Sequence, residues 1–97
     1  MKKKVTPKKA EQIFQIGENY FIQLVTHYYT GKLVDLTATE FVMSDVAWIA
    51  DTGRLTQFIK NGELNEVEPI FIDRVVLGRG ALIAAMRWLH ALPKEQK

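Results

Sequence analysis

Apolar residues recur along the chain in two rhythms. Ala10, Ile13, Phe14 and Gly17 fall at the i, i+3, i+4, i+7 spacing of one helical face, with Thr6 placed to cap and Pro7 at the first helical position. This spacing predicts a first helix that ends at Gly17. From Tyr20 the chain changes to β-branched and aromatic residues, YFIQLVTHYYTGKLVDLTATEFVMSDVAWIA, punctuated by Gly31 and by a polar stretch over 37–40. Three strands are expected, over 20–25, 27–36 and 40–49. No Gly, Asn or Pro separates Val25 from Tyr28, so one long strand over 20–36, bent at Gly31, is the alternative.

Asp51 or Thr52 then caps a short helix with Leu55, Phe58 and Ile59 on one face and Asn61-Gly62 as its stop. Glu63, Glu66 and Glu68 form an acidic cluster that reads as a solvated loop, and Pro69 starts the next strand. Two final strands are expected over 70–77 and 82–90. They flank Gly78-Arg79-Gly80, a turn in which glycines allow positive backbone angles and Arg79 offers five donors in a fixed fork. Such a turn is able to hold an anion. Residues 1–5 and 93–97 are polar tails expected to be loose.

Composition narrows this picture. The 97 residues make one domain, 47% hydrophobic and 25% charged, as in ordinary soluble proteins. A small β domain has edges to protect, so pairing with copies of itself is expected. The net charge is only +2, and many of the lysines lie near the ends, at Lys2, Lys3, Lys4, Lys8, Lys9, Lys94 and Lys97. That argues against one broad basic surface, although symmetric copies would concentrate a few positions into a patch. The absence of cysteine excludes disulfides and thiolate metal sites. Pro7, Lys8, Lys9, Glu11 and Gln12 interrupt any export core, and no apolar run approaches the roughly 18 residues of a membrane helix. A cytoplasmic protein is expected.

The order of elements and two stretches of sequence resemble the Sm-like family, which includes bacterial Hfq and the archaeal and eukaryotic LSm proteins. The first Sm motif is echoed by GKLVDLTATEFVMSDVA: Gly31 falls on its glycine, Leu33 and Leu36 on apolar positions, Phe41, Val42 and Met43 on its apolar triplet, and Asp45 on its late acid. The second motif is echoed by Arg79-Gly80, with Ile83 and Met86 on the apolar positions that follow. The resemblance implies a mostly β fold: an N-terminal helix, then a small, strongly bent five-stranded antiparallel barrel. Residues 48–68 would be an insert between strands three and four, carrying the short helix. It also implies a homo-oligomeric ring that pairs strand four of one subunit with strand five of the next, and single-stranded RNA bound near the central pore.

Within that resemblance the candidate RNA or anion site comprises Gly78, Arg79, Gly80, Thr39 and Glu40. The first-motif loop is one residue short, with Thr37 where Asp is typical, Thr39 where a stacking ring is useful and Glu40 in place of Asn. Base stacking contributes about 1–3 kcal/mol per base, and this loop offers no ring. A carboxylate near phosphate is also unfavourable. A structural or protein-interaction ring without RNA is therefore the alternative. The Asp-Thr-Gly-Arg insert also resembles small Sm-like proteins of phage origin.

Asp51-Thr52-Gly53 further matches the catalytic triplet of retroviral-type aspartic proteases, in which two aspartates share a proton. Only 26 positions separate Asp51 from Leu77, too few for the flap hairpin and the strands such an enzyme needs, and Arg54 would set a cation beside the acid. The expected reading is non-enzymatic, with Asp51 capping the Leu55 helix. His27 and His90 lack partners at ligand spacing, so neither a metal nor another cofactor is expected. Tyr20, Tyr28, Tyr29, Trp48 and Trp88 are read as packing residues rather than base-stacking ones.

Overall fold

The structure, a computed structural model, describes residues 13–97. Its elements are β1 (Asn19–Leu24), β2 (Tyr28–Leu36), β3 (Glu40–Asp51), α1 (Leu55–Asn61), β4 (Glu66–Pro69), β5 (Val75–Gly78), a 3-10 turn (Arg79–Ala81) and β6 (Leu82–Arg87). The fold is mostly β, one antiparallel sheet of six strands in the order β4-β3-β2-β1-β6, with β5 also paired to β3. The helix expected to end at Gly17 falls largely outside the described residues. Gly17 itself has a φ of 95° and donates its N–H to the Leu33 carbonyl.

Alternation along the strands builds two hydrophobic clusters. Tyr20 and Ile22 of β1 point to one face, with Leu33, Phe41, Met43, Val46 and Leu77. Phe21 points to the other, with Ala47, Ile49, Val67, Leu64, Trp88 and Phe58 of the helix. A strand buried on both faces in this way reads as the continuous apolar run YFI rather than as a simple in-out alternation. Helix α1 covers the second face through Phe58, its one buried residue.

A bulge in β3 accounts for the strand count. Thr30 pairs with Ala47 and Lys32 with Ser44, so β3 carries one extra residue across from Gly31. Asp45 takes that place with φ 52°, a left-handed conformation that Asp tolerates better than most residues. The bulge resets the alternation, which is why Met43 and Val46, three apart, share a cluster. Before it, residues 40–43 pair with β5; beyond it, β3 pairs with β4. The strand expected over 70–77 is therefore interrupted. The Ile70 N–H still donates to the Val46 carbonyl at 2.7 Å, but residues 71–74 have no ladder partner among the described residues, leaving Phe71 84% exposed and Ile72 63% exposed, and β5 begins only at Val75.

Three further boundaries differ from expectation. The acidic segment read as a loop contains β4, in which Val67 is buried between Glu66 and Glu68. Residues 48–51 belong to β3 rather than to an insert. The N-cap of α1 is Arg54, with no side-chain cap; Asp51 instead accepts the Gly53 N–H at 2.9 Å, closing its own turn before the helix begins. Gly62 stops the helix as expected, with φ 74° and its N–H on the Phe58 carbonyl. The C-terminal residues lie along β4, where Lys97 and Val67 exchange backbone hydrogen bonds at 2.9 Å and Gln96 donates to Glu68.

Lys94 also donates to Asp45 at 2.9 Å. That hydrogen bond, then the Lys94 charge, hold the Asp45 carboxyl below its usual value; Ser44 and Lys32 act the same way and partial burial opposes them. A carboxyl lowered in the folded state contributes stability that is full above the unfolded value, about 4, and is lost as the pH falls through the lower folded value. Both partners are partly exposed, so solvent screening limits the gain to about 1 kcal/mol at most. Urea midpoints of wild type and Asp45→Asn should therefore differ slightly at pH 7, and the difference should shrink as the pH falls below about 4. A gap that persists undiminished at pH 3 would assign the effect to backbone shape instead.

Candidate anion-binding site at the Arg79 turn

Arg79 opens the 3-10 turn that joins β5 to β6, and the turn closes when the Leu82 N–H reaches the Arg79 carbonyl. Such a turn uses negative φ throughout. Gly78 accordingly has φ −73°, and the left-handed glycines are Gly17, Gly53 and Gly62, so the expected positive angles at Gly78 and Gly80 are not used. A Cβ added at Gly78 or Gly80 would meet nothing within 4 Å among the described residues. Neither conformation nor packing within one subunit requires glycine at these two positions.

The turn is bolted to the β2–β3 loop. The Arg79 N–H donates to the Thr39 carbonyl at 2.8 Å, and Nη1 of its guanidinium donates to the Thr37 carbonyl. Register continues this contact, with Glu40 opposite Gly78 and Phe41 opposite Leu77. The guanidinium carbon lies 5.6 Å from the centroid of the buried Phe41 ring, within range of a cation–π contact. Thr37 shapes the loop: its N–H donates to the Glu40 carbonyl at 3.0 Å, and its hydroxyl accepts from the N–H groups of Glu40 at 2.9 Å and Thr39 at 3.2 Å.

The five expected site residues, Thr39, Glu40, Gly78, Arg79 and Gly80, are thus brought together from two distant parts of the chain. Thr37 is the member not counted among them. Its signal was a hydroxyl two and three residues ahead of N–H groups in a short polar loop, the pattern of a side chain that closes a turn. Chemically, the site offers a cation anchored at one nitrogen on a protein carbonyl, and among the described residues no hydrogen bond engages the other side-chain guanidinium donors, which could serve an anion. Glu40 is exposed beside it and opposes that charge.

The other singled-out residues lie elsewhere. Asp51 ends β3, exposed, with its carboxylate engaged by the Gly53 N–H. His27 bonds Thr26 at 2.6 Å, and His90 bonds the Ile59 carbonyl at 2.8 Å. Among the described residues, no three His, Asp or Glu side chains converge as metal ligands. Tyr20 and Trp88 are buried, whereas Tyr28, Tyr29 and Trp48 are half-buried. No helix among the described residues is long and apolar enough to cross a membrane. Comparison with protein-family models, with curated proteins and with solved structures yields no match.

Proposed function

We propose that this chain is a non-enzymatic, cytoplasmic, Sm-like subunit of a homo-oligomeric ring, which binds single-stranded RNA or a related polyanion through a circle of Arg79 side chains. The observation that carries this reading is the Arg79 turn itself: a cation fixed on the β2–β3 loop, between two glycines whose open side invites a close approach. The strand order supports it as well. The sheet runs from strands paired to β3 round to β6 beside β1, and the turn joins its two flanks.

Assembly has a physical motive in the same region. Among the described residues, β5 pairs only with β3 and β6 only with β1, so each keeps an open edge. Val76 on β5 is 54% exposed and Ile83 on β6 is 58% exposed. Antiparallel pairing of the β5 edge of one subunit with the β6 edge of the next would satisfy the backbone groups, cover these side chains and repeat around a closed ring. A second reading, a ring that binds protein alone, is favoured by exposed Glu40 at the site and by the absence of an aromatic ring in residues 37–40.

Native mass spectrometry should show a discrete oligomer, and a monomer at micromolar concentration would remove the basis for a ring. Fluorescence anisotropy with oligo-U and oligo-A should show micromolar binding at low salt that weakens as salt rises. Arg79→Ala should cost at least about tenfold in affinity, the scale of one charge-assisted hydrogen bond, while Gly80→Ala leaves folding unchanged. Oligomer without RNA binding at low salt, with Arg79→Ala like wild type, would leave the protein-binding ring as the function.

A further inference from the structure

Three residues in consecutive strands stand side by side. Tyr29 of β2 is opposite Trp48 of β3, and Trp48 is opposite Glu68 of β4. Directly opposed residues project from the same face of a sheet, roughly 5 Å apart, so the row presents a phenol, an indole and a carboxylate in sequence. His27 closes one end, its ring 5.4 Å from that of Trp48 at an interplanar angle of 60° and 6.2 Å from that of Tyr29. Pro69 and Ile70 complete a groove of about 330 Å³.

The row is not simply the end of a core. Val46, nearer the bulge on the same face of β3, is fully buried, whereas Trp48 is only half-buried. Helix α1 packs on the opposite face, against Ala47, Ile49 and Val67. Glu68 is held through one oxygen, which accepts from Gln96 at 2.9 Å, and its other oxygen makes no hydrogen bond among the described residues. Among the described residues, no Lys or Arg lines the groove.

Aromatic faces alone would suit a sugar, a nucleobase or a cation. The carboxylate decides among them. Ring faces carry negative potential and attract cations, Glu68 adds a full negative charge beside them, and the same charge opposes a phosphate-bearing nucleotide. We propose that the groove formed by His27, Tyr29, Trp48 and Glu68 binds an organic cation, an alkylammonium or guanidinium group. That group is carried either by a small free molecule or by a basic side chain of a peptide.

The test is an NMR titration followed at the Trp48 indole N–H, assigned by loss of its signal in Trp48→Phe. The probes are choline, its neutral isostere 3,3-dimethylbutan-1-ol, and blocked Gly-Lys-Gly and Gly-Arg-Gly peptides. Choline or a peptide should shift the indole signal, and the neutral alcohol should need at least about tenfold higher concentration. Glu68→Gln, which can still accept from Gln96, should weaken the cations by about tenfold with its thermal midpoint unchanged. Tighter binding by a peptide than by choline assigns a basic side chain as the occupant; the reverse order assigns a free cation. The proposal is overturned if the alcohol binds as well as choline or if Glu68→Gln binds like wild type. It is equally overturned if uridine monophosphate shifts the indole at lower concentration than the cations, or if no cation shifts it by roughly 20 mM, the range of a very weak site.

Discussion

Replacement of Phe41 by alanine should cost about 3–5 kcal/mol, the range for deleting a large aromatic side chain from a packed core. Phe41 is fully buried, its ring meets Phe14 edge-on at 5.1 Å, and it stands in register between Leu36 and Leu77. A domain of this size has only about 5–15 kcal/mol to lose, so the variant should be unfolded in part or wholly near body temperature. Urea denaturation measures this directly. Phe41→Leu keeps most of the volume and should cost less, about 1–1.5 kcal/mol, yet it removes the ring over which Arg79 lies. It should therefore weaken the proposed polyanion binding at a stability cost that leaves the protein folded. A loss below about 1 kcal/mol for Phe41→Ala would mean that the core collapses around the gap far better than is usual.

The second large effect belongs to Gly31. Its backbone angles are open to any residue, so Gly31→Ala should gain about 0.4–1 kcal/mol by restricting the unfolded chain. Opposing this, an added Cβ would lie 3.0 Å from Val46 Cγ2 and 3.2 Å from the Ser44 carbonyl oxygen. The carbonyl belongs to the bulged strand and has no rotamer to escape into. Overpacking of this kind costs about 1–3 kcal/mol, enough to outweigh the gain, so the alanine variant should be modestly and the valine variant clearly less stable. A chemical denaturation midpoint above wild type for Gly31→Ala would show that the bulge at Asp45 relaxes freely.

These two positions also indicate how far the fold was legible. The chain breaks into β1 and β2 rather than running as one strand bent at Gly31, but an isolated glycine inside a β-branched run does mark close backbone approach, which Gly31 makes to Ser44 and Val46. What stayed hidden was the partner: the extra residue sits on β3, at Asp45, where no local signal distinguishes a bulge from a regular strand. From that hidden bulge follow the split of the fourth strand and the exposure of Phe71, since an apolar run such as IFI reads as a strand unless the missing ladder is known. β4 was legible in principle, as Glu-Val-Glu carries the period of two, but its charge masked it. At the site, the Arg79 turn was plain from composition, and its meeting with residues 37–40 followed from the resemblance rather than from any local pattern. The Tyr29–Trp48–Glu68 row could not be read ahead, because it depends on cross-strand register.

The pairing of β1 with β6 joins the two extremes of the described chain, Tyr20 standing opposite Arg87. The hairpins β1–β2 and β2–β3 need only short loops to close, whereas this last ladder must wait for nearly the whole sequence. On a ribosome adding about 5–20 residues per second, β1 would thus emerge with one edge bare for several seconds before β6 exists to cover it. Topology places the interval of greatest vulnerability to aberrant association during synthesis, on the strand that is made first among the described residues.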